Sequence, residues 1–363
     1  MGVNNLLPVL SPVLRRVDIR SLSGQTAGID GHVWLHRSVF TDLQASSLGK
    51  ATVAHIRYFM NRAKFLQNLG LKPIIVFDGN ELPAKSYTDN LRCSRRATSL
   101  ARAIGLRDCG NSISAQEHFA KAADVSHDMV GKLVAALRTE GIDAFVAPYE
   151  ADAQLTYLAL TGLVDFVITE DSDLAVYGCP RVVFKLDTVA GIGVELSSPF
   201  FEAPSFSGLN ESASIVACVL AGCDYGPQIN GVGIKRAIKL VRTFSQLDDT
   251  LDFNQLALFL KNEGYKIGDT ASFSNHMRIA TLVFRFQTVF DPIADRLTSL
   301  RAPRRTDIVE SELLLIGEMY SDELARAIYH GLAHPVPNKF SHRTDVHGSE
   351  VHLPPLSVSS PGD

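Results

Sequence analysis

The sequence predicts an α/β fold, with a mostly parallel central sheet flanked by helices and a mainly helical region after it. Three observations support this. Four short apolar runs each stop at an acidic residue, helix-length stretches alternate with them, and helical spacing dominates after about residue 210. Continuous apolar strands imply burial on both faces, which in an alternating chain means parallel βαβ units.

The first strand is expected over 25–29, ending at Asp30-Gly31, and the second over 73–77, ending at Asp78-Gly79. A helix over 49–69 lies between them, and another over 124–140 precedes the third strand. That strand, 142–147, runs into Glu150-Ala151-Asp152, and the fourth, 164–169, into Glu170-Asp171-Ser172-Asp173. An apolar helix over 212–221 breaks at Gly222-Cys223-Asp224-Tyr225-Gly226-Pro227, and helical spacing resumes over 233–241, 253–261, 275–289 and 310–330. Residues 334–363 hold five prolines and four histidines without apolar periodicity, the composition of a disordered tail. The expected divisions are 1–100 and 101–205, forming one core, a helical region over 206–332, and the tail over 333–363.

Composition narrows the class. The 363 residues are 46% hydrophobic and 20% charged, which excludes a disordered, collagenous or coiled-coil chain. Five cysteines without CxxC spacing suggest neither a disulfide framework nor a zinc site. No apolar run is long enough to cross a bilayer, the start lacks a basic leader, and Leu6 fails the myristoylation pattern. A soluble protein of a reducing compartment is expected. Lys and Arg number 35 against 39 Asp and Glu, and this net charge of −4 at first argues against a nucleic-acid partner.

The position of the acids changes that inference. In an open parallel sheet, ligands bind beyond the carboxyl ends of the strands. Asp30, Asp78, Glu150, Asp152, Asp171 and Asp173 are all expected there, and Asp224 is a seventh candidate. Close carboxylates repel by roughly 4 kcal/mol per pair at an effective dielectric near 20, so a compensating cation is required. An all-oxygen donor set favours Mg²⁺ or Mn²⁺, and seven carboxylates suit two ions better than one. Two such ions serve in-line phosphoryl displacement. Without these seven acids the rest of the chain carries 35 basic against 32 acidic residues, and a DNA partner becomes acceptable.

Two basic elements accompany the acids. Residues 81–107 hold six basic and two acidic residues, and helical geometry would place Lys85, Arg92 and Arg96 on one stripe suited to a scissile phosphate. Gly231-Val232-Gly233, followed by Lys235, Arg236 and Lys239, offers a helix N-terminus and positive charge to a phosphate backbone. His32 and His36 stand four apart; a carboxylate site needs no imidazole, which leaves nucleic-acid contact or a packed surface histidine as their uses.

Met1-Gly2-Val3-Asn4-Asn5-Leu6-Leu7, Trp34-Leu35-His36, Val76-Phe77-Asp78-Gly79, Tyr149-Glu150-Ala151-Asp152, Glu170-Asp171-Ser172-Asp173 and Gly222-Cys223-Asp224-Tyr225 resemble the flap-endonuclease and Rad2-like nucleases. Leu82-Pro83 with Lys85, Tyr177-Gly178-Cys179 and Phe290-Asp291-Pro292-Ile293 point to the exonuclease branch, over residues 1–332. The resemblance implies a PIN-like 5′-nuclease core with a helical arch and a helix-two-turn-helix DNA-binding element. It implies one metal on Asp30, Asp78, Glu150 and Asp152 and another on Asp152, Asp171, Asp173 and Asp224. Lys85 and Arg92 match arch residues on the scissile phosphate, supported by Arg95 and Arg96. Gly2, His32, His36, Gly231, Val232, Gly233, Lys235, Arg236 and Lys239 are the remaining implied DNA contacts, with K⁺ at the Gly231 turn.

His32 stands where that branch usually has a stacking tyrosine, and Ala221 replaces a hydroxyl residue near the monovalent-cation site. The expected activity is Mg²⁺-dependent 5′ to 3′ cleavage of duplex DNA and of 5′ flaps, by a nuclear monomer with mismatch-repair partners and no membrane attachment. A flap-specific endonuclease and a silent junction-binding scaffold are the alternatives.

Overall fold

The computed structural model describes residues 2–38, 53–227, 229–246, 251–304 and 308–333. The expected tail over 334–363 and the start of the helix expected over 49–69 lie outside the described residues.

The first half supplies β1 (Arg15–Asp18), β2 (Thr26–Asp30), β3 (Lys72–Phe77) and β4 (Asp143–Val146). Residues 166–196 add β5 (Phe166–Thr169), β6 (Val182–Asp187) and β7 (Ile192–Leu196). They form one sheet in the order β1-β7-β6-β5-β2-β3-β4. Strands β6, β5, β2, β3 and β4 run parallel, while β7 is antiparallel to both its neighbours. From β2 the chain proceeds outward through β3 and β4 on one side, then returns to build β5 and β6 on the other. This reversal opens a crevice at the carboxyl ends of the central strands.

Each face of the sheet has its own core. Ile75 and Phe77 of β3 and Phe166 and Ile168 of β5 point to one face, whereas Val76 and Val167 point to the other. The first face is covered by α2 (Gly31–Ser38), α3 (Val53–Asn68) and α6 (His127–Thr139). Helix α6 buries Met129, Val130, Leu133, Val134 and Leu137, a stripe at helical spacing. The opposite face receives α1 (Leu6–Leu10) and α7 (Ala151–Leu160), with α7 packed so closely on β2 that a Cβ at Gly28 would lie 2.9 Å from Leu155 Cδ2.

Two helices leave these cores. The 23-residue α4 (Ser86–Asp108) buries only Ala103, which meets Ala115 and Phe119 of α5 (Ser112–Ala122) in a small cluster of its own. After the sheet, α8 (Asp173–Val176), the almost wholly buried α9 (Glu211–Ala221), α10 (Ile234–Ser245), α11 (Phe253–Asn262) and α12 (Thr270–Phe286) extend the second core. Strands β8 (Thr288–Asp291) and β9 (Arg296–Ser299) form a hairpin, followed by α13 (Glu310–Gly317) and α14 (Asp322–Tyr329).

The sheet expectation holds for the four acid-terminated strands, and several details differ. The pair β1 and β7 ends the sheet at one edge with antiparallel pairings, so it is parallel only from β6 to β4. The helix expected over 275–289 stops at Phe286, because Gln287 adopts an extended conformation (φ −49°, ψ 142°) and Thr288 begins the hairpin. The helix expected over 310–330 is two helices, divided at Gly317, whose φ of +117° lies outside the helical region. Lys85 closes a 3₁₀ turn, Pro83–Lys85, before α4, and therefore does not share one helical stripe with Arg92 and Arg96.

At Asp78-Gly79 the chain passes so close to the next strand that a Cβ on Gly79 would lie 1.8 Å from the Ala147 carbonyl oxygen. The Gly79 amide also donates to the Tyr149 carbonyl at 2.6 Å. Gly79→Ala is expected to destabilise the protein by about 1–3 kcal/mol, the usual range for overpacking, read as a lower midpoint in urea.

Candidate active site

The four parallel strands deliver their acids as the sequence predicts. Asp30 is the last residue of β2, Asp78 follows β3, and Glu150 and Asp152 occupy the N-cap and first turn of α7. The carboxylate of Asp152 there lies at the favourable end of the helix dipole. Asp171 follows β5, and Asp173 opens α8. Asp224 arrives from the connection between α9 and α10.

Main-chain and hydroxyl donors fix several of these oxygens. The Val33 amide and Thr169 Oγ1 donate to the two oxygens of Asp30 at 3.1 and 2.9 Å. The Ala151 amide donates to Asp78 Oδ1 at 2.7 Å, and the Val3 amide to Asp173 Oδ1 at 2.8 Å. The Asp173 amide in turn donates to Asp171 Oδ1 at 3.0 Å. Gly2 is pressed against this loop: a Cβ there would lie 2.1 Å from Asp171 Oδ1, and φ is +78°. The structure thus places Gly2 beside two acids, as a close-approach position.

Cations from the base of α4 reach across the cluster. Lys85 Nζ donates to Glu150 Oε1 and lies 3.3 Å from Asp224 Oδ2. Arg92 Nη2 donates to both oxygens of Asp224 at 2.8 Å, and Thr88 Oγ1 donates to the Asp224 carbonyl at 2.8 Å. Arg95 is exposed, whereas Arg96 pairs with Asp124 at 3.1 Å.

The electrostatics follow from this crowding. Burial, then the charge of Asp78, raises the Asp30 carboxyl to about 7. Burial followed by Asp171, Asp30 and Glu150 pushes Asp152 well above its ordinary range, and burial with Asp171 and Asp224 does the same to Asp173. Asp171 is raised chiefly by burial. Asp78 is the exception: burial opposes its ionisation, yet His32, Lys85 and the Ala151 amide outweigh burial and hold its carboxyl low. Burial works against the Lys85 ammonium, but Glu150, Asp224 and Asp78 keep it charged.

His32 and His36 do different work. His32 Nδ1 lies 3.0 Å from the Asp78 amide nitrogen and 3.5 Å from Asp78 Oδ2. Burial and the neighbouring His32 lower His36 to about 4, so it meets a ligand as a neutral imidazole. Lys235, Arg236 and Lys239 form the exposed face of α10, whose N-cap Gly233 supplies no side-chain cap. Gly231 has φ +80°, and its carbonyl accepts from Arg236 at 2.8 Å. Val232 is buried, so its side chain serves the core.

Sequence reasoning missed three contributors. Thr169 sits between Asp30 and the Asp171 amide, and the signal was a hydroxyl directly before the acidic run. Tyr177 and Tyr225 reach Glu150 from two different segments, which no local spacing reveals. Glu170, inside the same acidic run, turns away to pair with Arg37. Among the described residues no three His, Cys, Asp or Glu side chains close on one point as a ready metal site.

Fold and site together define an α/β protein with an acidic crevice at its sheet switch point and a helix pair carrying cations into it. Two family models match, the XPG N-terminal domain over residues 1–99 and the XPG I-region over 141–224. Exonuclease 1 of Arabidopsis thaliana is 37% identical over 303 residues, which are 83% of this chain and 40% of that protein. DNA damage-inducible protein DIN7 of Saccharomyces cerevisiae is 32% identical over 321 residues, 87% of this chain and 73% of that protein. The catalytic core of Rad2 in complex with DNA substrate shares the fold, with a TM-score of 0.55 at 20% identity over 78% of this chain and 86% of that one. The chain belongs to the XPG/Rad2 family of structure-specific nucleases. It spans 40% to 58% of the length of the relatives named exonuclease 1 or exodeoxyribonuclease 1.

The raised carboxyls predict a pH-dependent stability. A group whose folded pKa exceeds its unfolded value near 3.9 favours folding at low pH, and that contribution is lost as pH rises through the folded value. In chelator, Asp152→Asn should therefore melt higher than the parent at pH 8, by about 2 °C or more, with the difference vanishing near pH 4. Added Mg²⁺ should raise the parent's midpoint at pH 8 more than the variant's, as followed by differential scanning calorimetry.

Proposed function

We propose that the chain is a Mg²⁺-dependent 5′ to 3′ exonuclease on duplex DNA that also cuts 5′ flaps. The observation that carries this reading is the convergence of acids from four parallel strand ends with Lys85 and Arg92 laid across them. The similarity to proteins named exonuclease 1 supports the exonuclease assignment.

The donor set fits hard divalent ions. It is all oxygen, its members repel one another, and four of them resist ionisation without a nearby positive charge. Asp30, Asp78, Glu150 and Asp152 would hold one Mg²⁺ and Asp152, Asp171, Asp173 and Asp224 the second, with Mn²⁺ able to substitute. Bound there, the pair of ions supplies an activated water and neutralises the leaving oxygen.

The protein's own groups do the rest. Lys85 and Arg92 exchange their carboxylate partners for the scissile phosphate and stabilise the charge that grows on it. Because that bond must reach the sheet edge, the terminal nucleotides unpair first, at a cost of a few kcal/mol. Neutral His36, together with His32, lines the path of the substrate strand at the end of α2, with Gly2 at the opposite lip. Helices α4 and α5 serve as the arch over that strand, and Arg95 and Arg96 add backbone charge. The α9–α10 unit is the helix-two-turn-helix: Gly231, Val232 and Gly233 bring the main chain to the duplex backbone with K⁺, while Lys235, Arg236 and Lys239 contact phosphates without reading bases. The setting is nuclear DNA repair, with mismatch-repair proteins as partners.

On a 5′-recessed duplex in Mg²⁺, Asp173→Ala is expected to abolish cleavage. Lys85→Ala should lower kcat by about 10²-fold or more with little change in duplex affinity. Normal turnover in either variant would sink the assignment. Cleavage of the 5′ flap but not of the recessed duplex would instead identify a flap-specific enzyme, and chelator-insensitive binding without cleavage a scaffold. Replacing Lys235 and Lys239 by Ala should weaken duplex binding equally across sequences and lower the salt slope by about 2, measured by fluorescence anisotropy at several salt concentrations.

A further inference from the structure

Glu150 meets a buried polar chain on the side away from the crevice. Tyr225 donates its hydroxyl proton to Glu150 Oε2, and the Tyr177 hydroxyl lies 3.4 Å from the same oxygen. The two hydroxyl oxygens are 3.0 Å apart, and Tyr177 Oη stands 2.7 Å from Gln287 Oε1. All three residues beyond Glu150 are buried, and both rings pack edge-on against Phe284, with centroids 4.9 and 5.3 Å away. That packing fixes where the hydroxyls point.

Counting protons gives the chain a direction. With Gln287 oriented as above, Tyr177 donates to Gln287 and Tyr225 to Glu150. The 3.0 Å contact between the hydroxyls then holds no hydrogen, and the buried Gln287 Nε2 has no partner among the described residues. Exchanging the oxygen and nitrogen of that amide, which are alike in shape, removes both faults. Gln287 then donates to Tyr177, Tyr177 to Tyr225 and Tyr225 to Glu150, one proton on each contact. Only an amide oxygen is left over, a smaller fault than a buried N–H group.

We infer that Gln287, Tyr177 and Tyr225 form a directed hydrogen-bond chain that positions Glu150 for divalent-cation binding. The inference rests on the metal-dependent reading of the crevice. Glu150 divides its oxygens: Oε1 faces Lys85 and the crevice, while Oε2 is held from behind by Tyr225. When Lys85 turns to a phosphate, Oε1 is released and Oε2 stays fixed, so the carboxylate keeps its aim. These are positioning residues, and they tie the site to the segment joining α12 to β8.

The test is a Mg²⁺ titration of thermal stability on the full chain without DNA, comparing the parent with Tyr225→Phe, Tyr177→Phe, Gln287→Met and Glu150→Gln. Partners of metal ligands typically contribute 10-fold to 100-fold in metal affinity, so Tyr225→Phe should raise the Mg²⁺ half-saturation about 10-fold. Tyr177→Phe and Gln287→Met should shift it the same way by less, with cleavage recovering at saturating Mg²⁺. A purely structural role would lower the melting point and leave the half-saturation unmoved. If Glu150→Gln shifts the half-saturation while Tyr225→Phe and Tyr177→Phe stay within about twofold of the parent, the positioning chain is overturned. If Glu150→Gln itself changes nothing, the metal reading of this carboxylate fails first. Should Tyr225→Phe not fold, Tyr177→Phe and Gln287→Met decide the question.

Discussion

Mutual repulsion among carboxylates at the ends of parallel strands is the constraint around which this molecule is arranged. A fold that collects Asp30, Asp78, Asp152, Asp171 and Asp173 in one crevice gives up stability there, and burial makes the crowding worse. The two apolar cores on either face of the sheet supply what the crevice gives up. Nearby polar contacts limit the damage. Main-chain amides from Val3, Val33 and Ala151 and the hydroxyl of Thr169 each take a specific oxygen, and Lys85 and Arg92 bring positive charge from outside the sheet.

This arrangement joins parts of the chain far apart in sequence. The N-terminal segment reaches the crevice through Gly2 and Val3, the base of α4 through Lys85, Thr88 and Arg92, and the α9–α10 connection through Asp224. The helical region therefore contributes an acid to the crevice and, on another face, the exposed cations of α10. The elements that carry Asp224 and those that carry the exposed cations are joined by one continuous second core.

Much of this was legible in the sequence for a simple reason. A buried parallel strand is a short apolar run, and the residue at its carboxyl end is the one exposed to the crevice, so an acid that recurs at that place marks the site. What was not legible has equally physical causes. The strands β1, β6 and β7 carry charged residues within them, Arg15 and Arg16, Lys185 and Glu195, so none reads as a continuous apolar run. Thr288, Val289 and Phe290 continue the apolar pattern of α12, and only the extended Gln287 separates helix from hairpin. The Arg96 partnership with Asp124 depends on where α4 enters, and the 3₁₀ turn at Pro83 changes that direction. The chain through Tyr225, Tyr177 and Gln287 spans three segments, and its cause is packing against Phe284.

Helix α4 has a consequence for how variation is tolerated. It buries one side chain out of 23, and at its base Thr88 and Arg92 are held to Asp224 by hydrogen-bonding and ionic contacts. Substitutions along it remove almost nothing from either core, so they should leave the amount of folded protein unchanged. In a survey scoring abundance and activity separately, this helix should stand apart from the strand ends. Changes at Gly79 would depress both scores, whereas changes on α4 would depress activity alone, and only at the few positions whose charge reaches the crevice. The segment is thus free to diverge in sequence while the sheet beneath it is not.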